Sequence, residues 1–135
     1  MGGRYIVGVD GSAPSRAALA WAAARAVPEG GPLVLAHVGG GDDESLGGGG
    51  ARRGPHADAG LLAGLADSLA GSGADISTAP LSGPVPEALA GFARTGDLLV
   101  IGTHKTGFIH GRVLGSRSIR IAAAAPCSVA VIPDI

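Results

Sequence analysis

The sequence predicts one α/β domain, an open, doubly wound sheet of mainly parallel strands with helices on both faces. Short Val-, Ile- and Leu-rich runs alternate along the chain with stretches of helical spacing. The links between successive runs are long enough for crossover helices, which makes the strands parallel. Length agrees, because 135 residues suit one core and are too few for two.

In chain order, RYIVGVD at 4–10 is a β-branched run that stops at the turn cluster Asp10-Gly11-Ser12. Strong helix formers follow between Ser15 and Val27, with Leu19, Ala22, Ala23 and Ala26 on one face and Pro28-Glu29-Gly30-Gly31 as the stop. The second strand is LVLAHV at 33–38. Residues 39–57 are rich in glycine and charge and hold too little apolar matter to pack, so a flexible insertion is expected there. Leu61, Leu62, Leu65 and Leu69 mark a helix from Ala59 to Leu69, ended by Gly71-Ser72-Gly73 before a weak third strand at 74–80. Ser82-Gly83-Pro84 opens a helix that reaches Arg94, and the continuous apolar run DLLVIGT at 97–103 is a strand buried on both faces. A glycine-rich loop leads to a helix from about Ser116 to Ala124, and SVAVI at 128–132 is the last strand. Ligands of such sheets sit at the carboxyl ends of strands, where the strand order reverses. The turns after Asp10, Val38, Ala79 and Gly102 are therefore the places for a site.

The 46% hydrophobic content includes 25 Ala, but the larger aliphatic residues are bunched into the strands, so a packed core is still expected. A net charge of −1 gives no global attraction to nucleic acid or to an anionic membrane. One cysteine rules out an internal disulfide, and Cys127 reads as a small hydrophobe. The start shows no signal-peptide pattern and no run is long enough to span a bilayer, so the expected compartment is the cytoplasm.

Charge is nonetheless segregated. Residues 98–133 contain no Asp or Glu yet hold Lys105, Arg112, Arg117 and Arg120. Charge alone fits a solvated basic face as well as it fits an anion site. The loop from Gly102 to Ser116 favours the anion site, because its four glycines let backbone amides converge. The helix that follows adds free donors and about half a positive charge. Ser116 suits both a helix N-cap and a hydroxyl donor to phosphate.

Several motifs are excluded. The loop is not a Walker A sequence, since Phe108 follows Gly107 where Lys is required, and Gly8-Val9-Asp10-Gly11 breaks the dinucleotide fingerprint. Lys105-Thr106-Gly107 echoes a β-lactamase triplet but has no S-x-x-K to accompany it, and no G-x-S-x-G elbow activates a serine. His37, His56, His104 and His110 lack metal-ligand spacing, and His37 reads as a core histidine. The third strand ends in Ala79-Pro80, without the phosphoacceptor aspartate of a response regulator.

IVGVDGS at 6–12, LVLAHV at 33–38, DLLVIGT at 97–103, GRVLGSRS at 111–118 and APCSVAVIP at 125–133 together resemble the universal stress protein family, in its order and spacing. The resemblance implies five strands in the order 3-2-1-4-5, with Asp10 and Gly102 flanking one crevice. ATP-binding members carry G-x2-G-x9-G-[ST], whose backbone wraps the phosphates. Gly102, Gly115 and Ser116 match it, while Lys105 stands in place of the middle glycine and Gly107 comes two residues later. Lys105 either obstructs the backbone cradle or gives the phosphates a cation. By the same resemblance Asp10 faces ribose or adenine and Val38 meets adenine through its backbone. On residue chemistry alone, Asp10 is equally an Asx-turn or cap residue and Val38 a core residue.

The candidate nucleotide-binding set is Asp10, Val38, Gly102, Lys105, Gly107, Gly115, Ser116 and Arg117. The expected function is a stress-response regulator that binds an adenine nucleotide: ATP, with or without Mg²⁺, or AMP or cyclic AMP. Little or no catalysis is expected, because no general base or nucleophile stands beside the phosphates. A nucleotide-free dimeric interaction module and a nucleotide-dependent α/β enzyme are the alternatives. The uncharged edge strand at 127–133 needs cover, and family members dimerise through it, so a homodimer is expected.

Overall fold

The alternating pattern is realised as five strands and four helices in the computed structural model, which describes residues 3–39, 55–104 and 116–134. In chain order these are β1 (Tyr5–Gly8), α1 (Ala13–Glu29), β2 (Pro32–Gly39), α2 (Pro55–Ser68), β3 (Asp75–Ser82), α3 (Val85–Phe92), β4 (Leu98–His104), α4 (Ser116–Ala124) and β5 (Ser128–Asp134). The sheet order is β3-β2-β1-β4-β5 and every pairing is parallel, as expected. Val7 of β1 lies between Leu35 of β2 and Val100 of β4.

Neighbouring residues of a strand face opposite sides of a sheet, and here each side has its own core. Val7, Leu33, Leu35 and Val100 pack with Ala18, Leu19, Ala22 and Ala26 of α1 and Leu62 of α2. Ile6, Val34, Leu99 and Ile101 pack instead with Leu89 of α3 and Ile121 of α4. The alanines of α1 bring that helix close to the sheet, and the strands supply the area. Leu33, Leu35 and Leu99 are completely buried, each stabilising the fold by about 1.5–3 kcal/mol.

Element ends depart from the sequence reading for identifiable reasons. Helix α1 starts two residues earlier than expected because Ser12 is its N-cap, accepting from the Ser15 amide at 3.3 Å. It also runs through Pro28 and stops only at Gly30, whose φ of 69° turns the chain left-handed while its amide donates to the Ala26 and Val27 carbonyls. Pro28 keeps a helical φ and lies in the last turn, where it does not act as the stop. Strand β2 includes Gly39 and α2 begins at Pro55, so both ends of the expected insertion belong to regular elements; residues 40–54 lie outside the described residues. Strand β3 extends to Ser82, which shortens the expected third helix at its start. That helix ends at Phe92 because Ala93 is extended and the Arg94 amide donates to Asp97 Oδ2 at 2.9 Å.

Asp97 is the polar anchor of the sheet's amino-terminal end. Its carboxylate accepts from the Arg4 amide at 2.9 Å and from the Arg4 guanidinium at 2.8 Å, joining the entry of β1 to that of β4. The same guanidinium donates to the Phe92 carbonyl and stacks on the Phe92 ring at 4.7 Å. Burial acts to raise the Asp97 pKa, but the Arg4 and Arg94 donors outweigh it and hold it below the usual carboxylate range. Cys127, half-buried beside this end, is pushed up by burial and by the Asp97 charge.

Candidate functional site

The strand order reverses between β1 and β4: the chain steps outward from β1 through β2 to β3, then returns to the other side for β4 and β5. Pairing of Val7 with Val100 brings the residues after β1 alongside the end of β4. Continued by two residues, that register sets Val9 level with Gly102, so Asp10 and Gly102 lie at the carboxyl edge on the ends of adjacent strands. Helices α1 and α4 both begin at this edge, with their positive ends toward it.

Asp10 sits in a closed set of hydrogen bonds. Its Oδ1 accepts from the Ser12 amide at 2.9 Å and from the Ser12 hydroxyl. Its own amide donates to Ser15 Oγ at 3.2 Å, and that hydroxyl donates to the Ser12 carbonyl at 3.1 Å. Burial would raise the carboxyl pKa, but the two Ser12 donors, aided by the nearby Ser15 hydroxyl, prevail and lower it. Asp10 is thus an exposed, ionised acceptor. It forms the Asx-type turn anticipated as one of its two roles, using one oxygen.

This turn consumes the positive end of α1. Pro14 has no amide to offer, the Ser15 amide is taken by Ser12 Oγ, and the Arg16 amide donates to the Ser12 carbonyl at 3.0 Å. With the Asp10 carboxylate also beside it, the start of α1 is a poor place for an anion.

Gly102 has a packing reason to be glycine. A Cβ at this position would lie 2.1 Å from the Pro14 carbonyl oxygen. The first turn of α1 therefore rests directly on the backbone of β4, and this close approach joins the two walls of the crevice. Sequence reasoning assigned Gly102 to ligand approach and missed this packing.

Of the other candidates, Val38 is half-buried near the end of β2, paired with Leu81 of β3 and packed against the α3–α4 core. Its neighbour His37 is buried, and its Nδ1 lies 2.7 Å from the Val9 carbonyl. A carbonyl only accepts, so Nδ1 carries a proton, in keeping with a core histidine. Ser116 and Arg117 open α4. Lys105, Gly107 and Gly115 lie outside the described residues. The sequence reading missed Ser12 and Ser15, and also Ser118, a buried hydroxyl residue in the first turn of α4. The spacing S-x-x-S after β1 was the available signal for Ser12 and Ser15. Among the described residues no group of three His, Cys, Asp or Glu is placed to hold a metal, and no helix is long and apolar enough to cross a membrane.

A family model described as the Universal stress protein family matches residues 1–133. A universal stress protein solved in complex with cAMP is 26% identical, with a TM-score of 0.71, over 99% of this chain and 98% of that one. The universal stress protein UspA from Lactobacillus plantarum is 24% identical, with a TM-score of 0.65, over 96% and 97%. A family protein from Arabidopsis thaliana with AMP bound is 18% identical, with a TM-score of 0.69, over 98% and 92%. The last two likenesses are of fold. No curated protein sequence matches the chain.

Proposed function

The chain belongs to the universal stress protein family, and from that premise we propose that it binds an adenine nucleotide between the ends of β1 and β4 and acts as a stress-response regulator in the cytoplasm. The observation that carries the reading is that β1 and β4, whose ends carry Asp10 and Gly102, are neighbours at the reversal of strand order. Support also comes from the similar protein that holds cAMP. In this reading Asp10 takes hydrogen-bond donors of the ribose or adenine, and the Val38 backbone meets the adenine. Gly102, Lys105, Gly107, Gly115, Ser116 and Arg117 surround the phosphates. ATP is the proposed ligand, with Mg²⁺ bound through its phosphates, and AMP and cyclic AMP are its competitors. Binding without appreciable turnover is favoured, since a carboxylate with a lowered pKa and two donors already on one oxygen is a poor general base.

The test is calorimetric titration with ATP, AMP and cyclic AMP, with and without Mg²⁺. Binding of at least one nucleotide is expected; no heat with any would sink the proposal and leave the nucleotide-free interaction module. Gly115→Val should weaken binding at least tenfold, roughly the loss of one charge-assisted backbone contact. Lys105→Gly separates its two roles: weaker binding identifies a phosphate cation, and tighter binding an obstruction.

The proposal includes a second copy of the chain paired through β5. Strand β3, the other edge, exposes Asp75, Ser77 and Thr78 and carries Pro80, which discourages pairing. The β5 edge carries Val129, Ala130, Val131 and Ile132, with no charge among them.

A further inference from the structure

Ser15 is one of four buried polar or charged residues among those described, and its hydroxyl has both hydrogen-bonding directions assigned. It accepts from the Asp10 amide at 3.2 Å and donates to the Ser12 carbonyl at 3.1 Å. Its own amide holds Ser12 Oγ at 3.3 Å. Ser12 Oγ, having accepted that amide, has its single proton left for Asp10 Oδ1. The direction of every bond in the ring is therefore fixed. Ser12 supplies two donors to Oδ1, and among the described residues none donates to Oδ2.

We infer that Ser15 is a positioning residue for the nucleotide crevice, acting through Asp10. By tying the Asp10 amide to the Ser12 carbonyl, it fixes the turn in which Oδ1 is occupied and Oδ2 remains as the acceptor for a ligand donor. Ser15 does not touch the ligand. Without its hydroxyl the Asp10 amide and the Ser12 carbonyl lose their tether, the carboxylate samples other rotamers, and Oδ2 is no longer held in one place. The inference rests on the nucleotide reading for its ligand and on the ring of bonds for its mechanism.

Two measurements separate these supports. The first uses the protein without nucleotide: the carbon-detected titration of the Asp10 carboxyl should move upward in Ser15→Ala and return in Ser15→Thr, which keeps a hydroxyl. An unmoved titration in Ser15→Ala overturns the assignment whatever binds. Should Ser15→Ala not fold, Ser12→Ala, which removes the hydroxyl donor to Oδ1, should move the same titration upward; no movement counts equally against the ring. The second is affinity for ATP and AMP. Ser15→Ala should weaken the nucleotide that binds about five- to tenfold, as expected for one lost hydrogen bond. It should have no further effect in an Asp10→Ala background. Equal losses in both backgrounds would make Ser15 merely structural. If the unaltered protein binds no nucleotide, the functional reading fails, while the Asp10 titration still decides whether Ser15 holds the turn.

Discussion

Asp97 immediately precedes β4 and Gly102 lies within it, and each answers to a neighbour far away in sequence. Asp97 binds Arg4, 93 positions earlier. Asp97→Asn should cost about 2–3 kcal/mol at neutral pH, the range for hydrogen bonds to a charged group. Because the folded pKa is lowered, this stability is fully present above the unfolded value of about 3.9 and disappears as pH falls through the folded value. Denaturant titrations of the two proteins should therefore converge in acid; a gap independent of pH would show that the carboxylate charge is not the cause. Gly102→Ala forces a methyl against the Pro14 carbonyl and should cost about 2–3 kcal/mol without any nucleotide present, measurable by thermal melting. If stability is unchanged and only nucleotide affinity falls, Gly102 serves the ligand alone. Neither partner was legible in the sequence, which reports turn chemistry and glycine content but not which distant backbone lies against them. Asp10 was legible because a strand ending in Asp-Gly-Ser has few local conformations open to it.

At the scale of elements, all nine were legible and their ends were not. The missed ends share a cause: caps act through single hydrogen bonds that composition averages away. Helix α1 shows this at both termini. Ser12→Ala removes its cap hydroxyl and should cost about 1 kcal/mol. Gly30→Ala should cost about 1 kcal/mol through φ alone, since no atom lies within 4 Å of the added methyl. Chemical denaturation tests both, and a neutral Gly30→Ala would mean that the chain leaves α1 by another turn. Strand β3 read as weak because it is an edge, where only β2 supports it and polar residues are tolerated on the open side.

For the whole molecule, the strand alternation made the class legible, while the order of strands followed from family resemblance and not from composition. The two edges of the finished sheet differ in character, and this asymmetry carries a prediction about mass. Sedimentation at micromolar concentration should find a species of twice the 13.0 kDa chain; monomer alone would leave the β5 edge unpaired and remove the proposed association.

The position of β1 between β2 and β4 also has a consequence for synthesis. Of the five strands the earliest to be made becomes the middle of the sheet, and one of its sides stays bare until β4 has emerged. A nascent chain that has completed only β3 can form half of its two cores and exposes an apolar flank to any sticky neighbour. The proposed crevice has no earlier half-built form, since its opposite wall comes only with β4. Premature termination before β4 should therefore yield insoluble product, not a weakened binder.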